Sequence, residues 1–70
     1  MTVREYRLEL AWSISELARR AGTTTKTIRR IESGQPVNDY TVAAVANAIS
    51  QALGRRVTIY DFEGVNIIES

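Results

Sequence analysis

The sequence predicts an all-α fold, a compact bundle of four to five short helices around one core. Three observations carry this. Apolar residues recur at helical spacing, most plainly Val42, Val45, Ala46, Ile49 and Leu53 at i, i+3, i+4, i+7 and i+11. Helix punctuation recurs along the chain, with Thr2, Ser13, Thr24 and Asn38 ahead of periodic runs and Gly22, Gly34 and Gly54 behind them. Finally, 70 residues suffice for one small domain, which buries about 60% of its unfolded-chain surface.

Taken in order, Thr2 and Glu5 have the spacing of a capping box that opens the first helix. Val3, Tyr6, Leu10 and the stem of Arg7 form its inward stripe, with Leu8 and Ala11 to the side. Trp12 falls in the connection, where a large ring plugs the end of a small core. Ser13 and Glu16 form a second capping box, hydroxyl and carboxylate each satisfying an orphan N–H. Ile14, Leu17, Ala18 and Ala21 then share one helical face. Gly22 ends this helix, because glycine enters the left-handed conformation without a Cβ penalty. Thr24 caps the third helix, in which Ile28 and Ile31 point inward. Lys26 lies nearly opposite them, flanked by Arg29 and Arg30.

Gly34 stops the third helix, and Ser33 to Val37 reads as a loop containing Pro36. Asn38 caps a long fourth helix that runs through Leu53 and ends at Gly54. Beyond Arg55 and Arg56, Thr58 to Phe62 fits either a short fifth helix capped by Thr58 or a strand. Val57, Thr58, Ile59 and Tyr60 are β-favouring residues in a row. Val65, Asn66, Ile67 and Ile68 are too apolar for a free tail. Residues 1–56 therefore read as the principal domain. Residues 57–70 read as a C-terminal extension that packs on the core or forms a dimer contact.

Composition excludes several classes of function. Without cysteine or histidine there is no disulfide, no usual zinc or haem site, and no Ser-His or Cys-His nucleophile pair. Paired carboxylates at a plausible site are missing too, so neither an enzyme nor a bound cofactor or metal is expected. The longest apolar run, Val42 to Ala46, is far short of a membrane span or a signal-peptide core, and a cytoplasmic protein is expected. A net charge of +1 says little, but its distribution says more. Arg19, Arg20, Lys26, Arg29 and Arg30 sit together with no acid between Leu17 and Ile31, whereas Asp61, Glu63 and Glu69 gather near the C-terminus. Such asymmetry suits a basic face presented to a polyanion.

Leu17-Ala18, Gly22-Thr23-Thr24 and Ile28-Arg29-Arg30-Ile31-Glu32-Ser33-Gly34 together resemble the signature of the lambda-repressor-like (Xre/Cro type) helix-turn-helix DNA-binding domains. The resemblance extends through Val3, Arg7, Leu10 and Trp12 upstream and Thr41, Val45 and Ala46 downstream, covering roughly residues 2 to 50. It implies that residues 1–56 are a DNA-binding domain whose third helix enters the major groove of double-stranded DNA. Relatives commonly end the fourth helix about a turn earlier, near Ile49. Here it is extended.

By position, the resemblance implies base contacts from Thr25, Lys26 and Arg30, and phosphate contacts from Thr23, Thr24 and Ser33. Lys26 and Arg30 can donate to guanine O6 and N7, and Thr25 and Thr27 can reach bases or phosphates through hydroxyl or methyl. Arg19, Arg20 and Arg29 complete the expected phosphate set. Considered alone, Lys26, Arg29 and Arg30 would be the solvated side of an amphipathic helix; the capped helix and glycine turn before them favour the DNA-facing reading. Arg55 and Arg56 fit either a favourable charge at a helix C-terminus or an addition to the basic face.

Two features depart from the family pattern. Ile14 stands where several relatives place a phosphate-binding glutamine, and no lysine or arginine lies between Gln35 and Asp39. Both weaken the backbone grip of one subunit, so affinity leans on dimerisation or on the remaining arginines. A homodimer on a palindromic operator, acting as a transcriptional repressor or regulator, is the function expected. The alternative is a protein-interaction or antitoxin-like module whose C-terminal stretch is the partner site.

Arg7 and Glu32 are also expected to meet. Arg7 lies on an inward stripe where an unpaired cation should not sit. Glu32 falls about 40° around from Ile28, at the edge of the buried face. The resemblance implies a structural salt bridge between them, tying the first helix to the third.

Overall fold

The computed structural model describes residues 1–68. It consists of helices α1 (Val3–Glu9), α2 (Ile14–Ala21), α3 (Thr25–Glu32) and α4 (Asp39–Leu53). A single 3-10 turn follows at Ile59–Asp61, and two short strands, β1 (Pro36–Asn38) and β2 (Asn66–Ile68), complete the fold. The class is mostly α, as the periodicity predicts, and the strand pair is a local addition. Leu17, Ile28, Val42, Val45 and Ile49 are fully buried at 0% exposure, so α2, α3 and α4 meet at one centre.

Local chemistry accounts for where each helix begins. Thr2 and Glu5 form a complete capping box, with Glu5 N–H donating to Thr2 Oγ1 at 3.1 Å and Thr2 N–H to Glu5 Oε1 at 2.8 Å. That backbone N–H is the main reason the Glu5 carboxyl is held below its usual range. Asn38 Oδ1 accepts from Thr41 N–H at 2.9 Å and so opens α4. At Ser13 only half of the expected box forms. Glu16 N–H donates to Ser13 Oγ at 3.0 Å, but the Glu16 carboxylate turns instead to Arg19 and Arg20. Two guanidinium donors on the same helix outcompete one neutral N–H for an anion.

The first three helices end alike. Gly22 and Gly34 take φ of 70° and 80°, and N–H groups beyond them close back onto Ala18 O at 2.9 Å and Arg30 O at 3.0 Å. These are Schellman turns. The α1 end makes the same closure without glycine: Ala11 sits at φ 58°, while Ala11 N–H reaches Leu8 O and Trp12 N–H reaches Arg7 O, both at 3.0 Å.

Two segments differ from expectation. The stretch read as a loop from Ser33 to Val37 ends in strand β1, which pairs in parallel with β2 in the register Val37↔Ile67. Parallel strands need a long crossover, and α4 supplies it. Pro36 stands at the first strand position, where a missing N–H is tolerated. The residues Thr58 to Phe62, which fit either a helix or a strand, form a single 3-10 turn braced by Asp61 Oδ2, which accepts from Thr58 N–H at 2.8 Å. Val57 and Phe62 on either side are buried in the common core, Phe62 edge-on to Tyr6 at 5.6 Å.

The Ser50 hydroxyl joins α4 to this segment. It accepts from Val57 N–H at 2.8 Å and lies 2.9 Å from Val57 O and 2.7 Å from Ala46 O. In effect it replaces a missing strand partner for Val57.

Candidate nucleic-acid interface

Sequence chemistry sets the relation between α2 and α3. The left-handed Gly22 reverses the chain, and Thr24 at once caps α3, accepting from Thr27 N–H at 3.2 Å. Leu17 and Ala18 from α2 and Ile28 and Ile31 from α3 are buried, which fixes how α3 rolls on its axis. Once those isoleucines face inward, the 100° helical step puts Lys26, Arg29 and Arg30 in solvent, and all three are exposed.

Lys26, Arg29, Arg30 and Ser33 line one open concavity of 580 Å³ together with Gln35. A smaller one of 220 Å³ lies beside it, lined by Thr27, Arg30, Pro36, Val37, Asn38 and Thr41. Among the described residues no acidic side chain lines either, so there the cations face outward without a carboxylate opposite them. Arg30 borders both, and its Nη2 donates to Pro36 O at 3.0 Å.

Several of the remaining sequence-predicted site residues have internal roles. The Thr24 and Thr27 hydroxyls lie 3.0 Å apart, Ser33 Oγ donates to Arg30 O at 3.2 Å, and Thr23 and Thr25 are half-buried. Arg19 and Arg20 stand apart from the α3 group, both bonded to Glu16, with Arg20 Nε at 2.6 Å. Those hydrogen bonds, Arg20 first, hold the Glu16 carboxyl below its usual range. Arg20 also stacks over the Trp12 ring at 4.6 Å. Ile14, in the place of the relatives' glutamine, packs against the core. Arg55 lies over the Tyr6 ring at 5.9 Å.

Behind this face, Arg7 and Glu32 hold α1 to α3. Arg7 Nε donates to Glu32 Oε2 at 2.8 Å, Arg7 Nη2 to Glu32 Oε1 at 3.1 Å, and Arg7 Nη1 to Trp12 O at 3.0 Å. Glu32 raises the Arg7 pKa further above its ordinary value.

Sequence reasoning missed Gln35, Asn38 and Thr41 as neighbours of the basic group. Asn38 is legible as a cap, but its placement beside Arg30 depends on the β1–β2 pair. No local signal marks a pairing between residues thirty apart. Among the described residues no group of acidic side chains could hold a metal ion, and no helix is long and apolar enough to cross a membrane.

A capped helix, a glycine turn and a second capped helix with a basic outer face define a DNA-binding helix-turn-helix domain. The comparison with protein families agrees: a model described as Helix-turn-helix matches residues 3–59. The chain belongs to this family, of the Xre/lambda-repressor-like type. Neither curated proteins nor solved structures gave a significant match.

Proposed function

We propose that the protein is a small transcriptional regulator that binds a palindromic operator in double-stranded DNA as a homodimer and represses by occluding a promoter. The observation that carries this is the group of exposed cations Lys26, Arg29 and Arg30 on the outer face of the second helix of the motif, with no acidic side chain lining it among the described residues. Lys26, Arg30, Thr25 and Thr27 then read base edges, and Arg29, Thr23, Thr24 and Ser33 hold phosphates. Arg19 and Arg20 join the phosphate set by exchanging Glu16 for the DNA backbone. We read the chain as a binding protein of the cytoplasm, not an enzyme.

A second copy would double the base contacts of a single reading helix, with the two helices about 34 Å apart on a two-fold operator. The C-terminal segment suits the subunit contact. Tyr60 is 88% exposed beside an open groove lined by Ala43, Asn47, Gln51, Arg55 and Ile59. The same surface would serve a different protein partner if the chain is an antitoxin-like module.

Selection of bound sequences from a random duplex library, with sedimentation of the free protein and the complex, tests this reading. Expected are an inverted-repeat site and two chains per duplex. Enrichment of no sequence would overturn the regulatory reading. A monomer carrying a single half-site would overturn the dimer, and an unchanged dimer mass in Tyr60→Asp would remove the C-terminal segment from the subunit contact.

A further inference from the structure

We propose that the β1–β2 pair is a positioning device for Arg30: strand pairing holds the Pro36 carbonyl where it orients the guanidinium before DNA arrives. The inference rests on the proposed base-reading role of Arg30.

Arginine is a long side chain, and ordering it on binding opposes affinity through lost rotamer freedom. An exposed arginine at the end of a short helix ordinarily carries that full penalty. Here Arg30 Nη2 is already engaged by Pro36 O at 3.0 Å. A guanidinium has five N–H donors and a bidentate contact to guanine uses two, so one bond to the carbonyl leaves the reading function intact. The bond therefore selects a direction without exhausting the donors.

What holds the carbonyl decides whether this is useful. Pro36 lies outside any helix, in a three-residue strand whose partner among the described residues is β2. Pairing in the register Pro36↔Asn66 and Val37↔Ile67, with Val37 buried and Ile67 packed on the core, anchors it. Two strands alone are marginal, so the site of Pro36 O depends on β2 remaining docked. Residues of the far C-terminal segment that touch no DNA would thus control how sharply the reading helix discriminates.

The test uses the full chain with Ile67→Pro, which opposes extended strand geometry and removes an N–H, and Ile67→Val, which preserves both. Without DNA, nitrogen relaxation at Arg30 Nε should report an ordered side chain in the wild type and Ile67→Val and a mobile one in Ile67→Pro. On DNA, Ile67→Pro should lower the ratio of selected-site to random-duplex affinity by about fivefold or more while random-duplex affinity stays within about twofold. In an Arg30→Ala background the same substitution should change that ratio by less than about twofold.

If circular dichroism finds the helices lost in Ile67→Pro, Ile67→Ala supplies the same comparison with a smaller expected effect. Equal order at Arg30 Nε in all variants overturns the proposal. So does an undiminished effect in the Arg30→Ala background, or a gain in specificity on loosening β2, which would mean that Pro36 withholds Arg30 from DNA. Should the wild type prefer no sequence at all, the base-reading role fails instead, and the relaxation measurement still decides whether β2 orders Arg30.

Discussion

Arg7 and Glu32, twenty-five residues apart, form a two-pronged ion pair with side chains only 9% and 10% exposed. Because Arg7 also donates to Trp12 O, one guanidinium fixes α1, the α1–α2 connection and the end of α3 relative to one another. Replacing such a pair by apolar residues can be neutral, whereas removing one partner strands the other charge. Arg7→Met and Glu32→Leu should each destabilise by about 3–5 kcal/mol, and the double variant should recover part of the loss. A double-mutant cycle by urea unfolding measures this. A coupling energy within error of zero would show that the pair contributes nothing beyond its separate members.

On the DNA-facing side, Lys26→Ala and Arg30→Ala should each weaken the preferred site by about 1–3 kcal/mol and relax base preference there. Arg29→Ala should weaken all duplexes alike and flatten the salt dependence by about one counterion. Arg19→Ala should do the same to a smaller extent, since Glu16 competes with phosphate for that arginine. Titrations at several salt concentrations separate the two behaviours. Loss of base preference in Arg29→Ala but not in Lys26→Ala would reverse the assignment.

Ser50 is a small polar residue whose removal should be costly. Ser50→Ala leaves the N–H of buried Val57 without its partner, and an unmet buried donor costs about 1–3 kcal/mol. Thermal unfolding should register the loss. Amide exchange at Val57 should accelerate more than exchange at Ile28, because the first opening is local to the α4 end. Uniform acceleration would argue against a local role for the hydroxyl.

Ala11 occupies the left-handed conformation at φ 58° where α2 and α3 use glycine. An L-residue there carries about 1–2 kcal/mol of strain, and glycine returns some of that relief as unfolded-chain entropy. Ala11→Gly should therefore stabilise the fold by about 0.5 kcal/mol, read as a higher urea midpoint at unchanged slope. A lower midpoint would mean that the methyl group makes a contact outweighing its strain.

The Glu16 and Glu5 carboxyls both titrate below their ordinary range in the folded chain. A lowered folded pKa contributes stability that is present above the unfolded value and is lost as pH falls through the folded one. Stability should accordingly decline as pH drops below about 4.5, and Glu16→Gln should shallow that decline while lowering stability at neutral pH. Urea midpoints between pH 7 and the acid limit, with the same protein at high salt as a control, provide the check. An identical pH profile in Glu16→Gln would remove Glu16 from the account.

The local part of this fold was legible because it is written in near neighbours. Capping bonds at Thr2, Thr24 and Asn38 span three residues, and the glycine ends at Gly22, Gly34 and Gly54 lie beside their helices. The inward and outward faces of α3 follow from a fixed 100° step, so the exposure of Lys26, Arg29 and Arg30 was determined once Ile28 and Ile31 were known to be buried. Glu16 illustrates the limit even at short range. Its spacing from Ser13 permitted a capping box, but side-chain competition from Arg19 and Arg20 decided otherwise.

Only the tertiary structure decided the β1–β2 pair, the bond from Arg30 to Pro36 O, and the use of Ser50 as a partner for Val57. Strands of three residues carry too little period to announce themselves, and a parallel pairing is set by the length and packing of α4 between them. The left-handed Ala11 was hidden for a related reason. Alanine has no preference for that conformation, and it adopts it because the Arg7 and Trp12 contacts on either side require the chain to turn there. Sequence by itself determined the inward and outward faces of the helices; long-range packing determined which of the outward side chains gain a partner from another element.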